Sequence, residues 1–168
     1  MPAKKTKKDS SNKGFSFFKG KKKSNLKLLC RYCHAVYNGK AWVPFAKMDP
    51  KIIDELKAST CPACHEIKDH VSDGVLHISG AGVKAHIKEI KNLVTHMGKM
   101  AEAKNVLDRI ERIDESKDGL IIYTTLNQLA VRIGKGVSSA LKGGKLDIRW
   151  SRQDKPVEVY WTYDKVKK

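Results

Sequence analysis

Four cysteines occur in this chain, in two close pairs: Cys30-Arg-Tyr-Cys33 and Cys61-Pro-Ala-Cys64. Twenty-seven residues separate the pairs. Two thiolates three residues apart can grip one side of a cation, so two such hooks together make a four-sulfur tetrahedral site. A site of this kind forces distant parts of the chain together. We therefore expect Cys30, Cys33, Cys61 and Cys64 to hold one structural Zn2+. Two rival readings exist. Both hooks continue into histidine (His34 and His65), which is the pattern of covalent haem attachment. Haem attachment and disulfides both belong to oxidising compartments. Residues 1–29 are Lys-rich and lack the apolar run of an export signal, so a reducing, cytoplasmic setting is expected. The histidines have a simpler account: the residue after a hook often takes positive φ, which His tolerates better than most.

The net charge is +16 over 168 residues. Residues 1–29 contain ten Lys and one acid, Asp9. Such a segment repels itself and cannot bury enough apolar surface to fold, so residues 1–26 are expected to be a disordered basic tail. Residues 27–72 are expected to form a zinc ribbon or treble-clef-like module. A short strand at Ala41–Phe45 and a helix opened by Asp49-Pro50, with Ile52, Ile53 and Leu56 on its apolar face, lie between the hooks. At this size the metal must supply part of the folding free energy.

Residues 73–164 read as an α+β domain in the order β-α-β-β-α-β-β. The first strand is Val75–Ile78. A helix follows with Val83, Ile87, Ile90, Val94, Met97 and Ala101 on one stripe. Strands are expected at 106–114 and 119–124, joined by a turn at 116–119. A second helix spans 126–142, started by a capping box at Thr125-x-x-Gln128 and stopped by Gly143-Gly144. Leu146–Trp150 and Val157–Tyr163 form a closing hairpin. Without its last strand this is the ferredoxin-like order, which suits an antiparallel sheet with both helices on one face.

The second helix is two-faced. Leu126, Leu129, Ile133, Val137, Ala140 and Leu141 cluster on one side; Arg132, Lys135, Ser139 and Lys142 cluster on the other. Lys145, Arg149 and Arg152 extend the basic surface into the hairpin. Lys21, Lys22, Lys23, Phe17 and Phe18 add charge and stacking rings in the tail. Phosphate-rich RNA, free or in a ribosomal subunit, is the expected partner, because Lys and Arg gain affinity by counterion release without reading sequence. The tail also has the polybasic, Phe-containing character of segments that bind anionic membrane surfaces, which ranks second. A catalytic role finds little support, and a C-x-x-C redox role, the lowest-ranked alternative, would leave one cysteine pair unemployed. Gly134-Lys135-Gly136 is too short for a phosphate loop, and His70, His77, His86 and His96 have no motif-spaced nucleophile or carboxylate.

The two hooks together with Lys117-Asp-Gly-Leu-Ile-Ile-Tyr123 resemble the N-terminal half of the nuclear export adaptor family of the large ribosomal subunit, over about residues 28–163. The resemblance implies Cys30, Cys33, Cys61 and Cys64 as zinc ligands and contact with a ribosomal subunit or its RNA during assembly, quality control or storage. The family usually carries more cysteine pairs, and nuclear export is not carried over.

Overall fold

The computed structural model describes residues 27–48, 50–150 and 156–165. The basic tail, with Phe17, Phe18, Lys21, Lys22 and Lys23, lies outside the described residues, as do Asp49 and Arg152. Among the described residues the chain forms two sheets and three α-helices, a mixed α+β arrangement.

The first sheet is small. Strands β1 (Leu28–Cys30), β2 (Val36–Tyr37), β3 (Trp42–Val43) and β4 (Lys57–Ser59) lie in the order β3-β2-β1-β4. The Pro50 segment departs from expectation. It makes a 3-10 turn, Pro50–Glu55, rather than an α-helix, and Ile53 is exposed. The chain leaves the turn at once because residues 57–59 pair parallel to β1, with Cys30 opposite Ser59. That pairing delivers Cys61 to the level of the first hook. A helix not expected from the sequence, α1 (Pro62–Asp69), starts at the second hook. Cys61 is its N-cap and Pro62 its first residue, a position where the missing N–H of proline costs nothing.

The second sheet has five strands: β5 (Gly74–Ser79), β6 (Ile110–Ser116), β7 (Gly119–Thr124), β8 (Lys145–Arg149) and β9 (Val157–Thr162). Helices α2 (Val83–Lys104) and α3 (Asn127–Ala140) cover one face of it. Each expected element is present in the expected order. The strand order is β6-β7-β5-β9-β8, however, and β9 runs parallel to β5. The sheet is therefore not wholly antiparallel. The unit β5-α2-β6, with β7 paired between its strands, keeps the split βαβ plan. The last strand then inserts between β8 and β5, where a four-stranded ferredoxin-like sheet would place its final strand. Burial explains the preference: β9 alternates fully buried Val157, Val159 and Trp161 with half-exposed partners, as a central strand should. β8 is charged and suits an edge.

The core consists of Leu76, Ile78, Leu120, Ile122, Val159 and Trp161 from the sheet, against Val83, Ile90, Val94, Leu129, Ile133 and Val137 from the helices. The helix stripes match the periodicity, except that Ala140 is exposed. Gly119 is required where β7 begins: a Cβ there would stand 1.9 Å from the Ile78 carbonyl oxygen.

The start of β6 is also later than expected. Residues 106–109 form a turn instead of a strand, held by Asp108 N–H donating to Asn105 O at 2.9 Å. The expected capping box at Thr125 is not made. Leu126 is the N-cap of α3 and offers no side-chain cap. The Thr125 hydroxyl, fully buried, donates to Leu107 O at 2.6 Å and accepts from Arg109 N–H at 2.9 Å. It holds the 106–109 turn rather than the helix.

Candidate metal centre and cationic surface

The two hooks converge. The sulfurs of Cys30, Cys33, Cys61 and Cys64 all lie within 4.8 Å of one another, and three of the four residues are buried. Cys33 and Cys61 are 3.6 Å apart, far longer than a disulfide. A tetrahedral zinc-type site, with metal–sulfur bonds of about 2.3 Å, needs sulfurs about 3.8 Å apart, so the donor set fits one metal ion. Hooks that meet at one point do not suit two separate haem attachments. His34 and His65 are exposed and outside the cluster. His34 has φ 59°, the left-handed conformation expected after a hook, whereas His65 sits in α1 and pairs with Asp69 at 3.0 Å.

The local electrostatics suit thiolate ligation. Burial alone would push the Cys30 thiol up, but N–H groups of Cys33, Cys61 and Tyr32 outweigh it and bring it down to about 6. Cys61 N–H donates to Cys30 Sγ at 3.3 Å, and Cys64 N–H to Cys61 Sγ at 3.4 Å. Without a metal, burial pushes Cys64 up to about 11 and Cys61 upward as well. A bound cation is what would reverse those two shifts.

The expected polyanion-binding residues are divided by the structure. Lys135, Lys142, Lys145 and Arg149 are exposed. Arg132 is exposed too, but its guanidinium pairs with the buried Asp108 at 2.5 Å. Asp108 comes from the 106–109 turn, so an acid does reach the basic face of α3. Arg149 lies on a different surface. It pairs with Asp147 at 2.9 Å and stands 4.6 Å above the Tyr160 ring, on the face of the large sheet opposite the helices.

Aromatic and cationic side chains line that sheet face. His77 and Tyr160, facing each other across β5 and β9, stack with ring centres 4.7 Å apart. Burial holds the His77 imidazole below its usual pKa, against the opposing pull of Glu158. Arg112 covers Tyr123 at 3.5 Å. The period-2 alternation held this signal: His77, Tyr123 and Tyr160 all occupy positions out of phase with the core. A second cluster links α1 to the large sheet. Glu111, with its side chain almost fully buried, accepts from Ser72 and from Arg112 at 2.5 Å and lies 3.2 Å from His70 Nδ1. Burial, reinforced by Asp73 and Glu111, raises Glu66 to about 7.

Compared with protein-family models, curated proteins and solved structures, the chain matches none. Among the described residues no helix is long and apolar enough to cross a membrane.

Proposed function

We propose that the chain is a zinc-stabilised, non-enzymatic RNA-binding protein of the cytoplasm that engages ribosomal RNA or a ribosomal subunit in assembly, quality control or storage. We read residues 27–72 as the zinc-holding unit and residues 73–164 as a ferredoxin-like derivative with one inserted strand. Zinc is favoured over other cations because four thiolates in a closed tetrahedral set suit it.

The observation that carries the RNA reading is α3. Its 14 residues contain no acid; with Arg132 paired to Asp108, the exposed Lys135 and Lys142, the latter two residues past the helix, carry its free positive charge among the described residues. In a chain of net charge +16 such a face attracts phosphate non-specifically. The resemblance of the Lys117–Tyr123 stretch to the large-subunit export adaptor family turns the reading toward the ribosome.

Co-sedimentation of the zinc-loaded protein with ribosomal particles tests it. Binding should be strongest at low salt and fall steeply as salt rises, and Lys135→Glu with Lys142→Glu should weaken it further. No association at low salt would overturn the proposal.

A further inference from the structure

Arg109 lies 45 residues beyond the second hook, yet it reaches the cysteine cluster. Its Nη1 donates to Cys64 Sγ at 3.5 Å. Its Nε donates to Val106 O at 2.6 Å and lies 3.1 Å from Glu102. Its backbone N–H is held by Thr125. The side chain is only 11% exposed. From the same turn, Val106 packs with Cys30, Cys61 and Cys64, and Leu107 joins that cluster. The segment between α2 and β6 therefore forms one wall of the cysteine site.

Charge gives this placement its meaning. A divalent ion with four thiolates carries two net negative charges. Enclosing that charge is costly unless hydrogen-bond donors and a cation face it. The hooks contribute backbone N–H groups, and Arg109 contributes the cation. A guanidinium suits the task because it keeps its proton and donates along a fixed plane.

We infer that Arg109 is the counter-cation of the metal centre, a positioning residue through which metal affinity depends on the second half of the chain. This inference rests on the reading of the four thiolates as a metal site. The hooks and the α2–β6 turn then form one composite centre, and residues 27–72 do not hold the ion unaided.

The test uses the full chain with Arg109→Gln and Arg109→Lys. Zinc affinity is measured by competition with a chromophoric chelator at fixed pH and ionic strength. Loss of an outer-shell partner weakens metal binding by about 10- to 100-fold, which is the effect expected for Arg109→Gln. Arg109→Lys, which keeps the charge, should recover most of that loss. With Co2+ in place of zinc, the sulfur-to-metal charge-transfer band should move to lower energy in both variants, because Cys64 loses the guanidinium donor. A purely space-filling role would give no Lys recovery and no band shift. Equal zinc affinity in wild type and Arg109→Gln would overturn the inference, as would an Arg109→Lys protein as weak as Arg109→Gln. If Arg109→Gln does not fold when loaded, an unshifted cobalt band in Arg109→Lys overturns it. A wild-type chain that takes up neither ion would sink the metal reading itself.

Discussion

Thr125→Val isolates one hydroxyl group at nearly constant volume. In the native protein that hydroxyl is fully buried and serves two backbone groups, donating to Leu107 O and accepting from Arg109 N–H. Valine satisfies neither. A buried polar group left without its partner costs about 1–3 kcal/mol, so two such groups put the loss at about 2–4 kcal/mol after partial relaxation. In a chain of this length that lowers Tm by roughly 5–15 °C. The assay is urea unfolding of the metal-loaded protein, with the midpoint falling and the slope unchanged. Thr125→Asp separates this role from helix capping. Asp is among the best N-caps, so a true capping position would accept it without loss. Here an ionised carboxylate cannot donate to Leu107 O and would be buried, so Thr125→Asp should be at least as damaging as Thr125→Val. A Thr125→Val protein within about 0.5 kcal/mol of wild type, or a stabilised Thr125→Asp protein, would refute the reasoning.

Glu66→Gln should affect stability in a pH-dependent way. The folded-state pKa of Glu66 is raised to about 7, so the native protein holds this proton more tightly than the unfolded chain and loses stability as pH rises from the carboxylate range through 7. Discounted for partial exposure, Glu66→Gln should stabilise by about 1–2 kcal/mol at pH 8 and by almost nothing at pH 4, read from denaturant midpoints at the two pH values. An equal effect at both would contradict the assignment. Gly119→Ala should destabilise by about 2–4 kcal/mol, because its Cβ would meet the Ile78 carbonyl. Hydrogen exchange should show faster opening at the Ser79–Gly119 end of the β5–β7 pair, and unchanged protection there would count against the close approach.

How much of the protein was readable beforehand depends on the range of the interaction. The stripe on α2 and the order of the seven elements after residue 73 follow from periodicity and turn residues, which act within a few positions. Thr125-x-x-Gln128 shows where local reading fails. The pattern suits a capping box, but the carbonyl of Leu107, 18 residues upstream, is the stronger claimant for the hydroxyl. Similarly, Pro50 predicts a helix, yet pairing with β1 draws residues 57–59 into a strand.

By itself, the sequence determined that two cysteine hooks could share one ion, that two amphipathic helices would cover one face of a sheet, and that α3 would turn a cationic side outward. Each depends on spacing along the chain. Tertiary structure alone decided that β9 would insert beside β5, that Arg132 would meet Asp108, and that Arg109 would face Cys64. Those pairings join residues 24 to more than 80 positions apart, or insert a strand that the periodicity could not rank. Alternation shows which face of a strand is buried but not which neighbour lies beside it, and a lone arginine carries no mark of the anion it will meet.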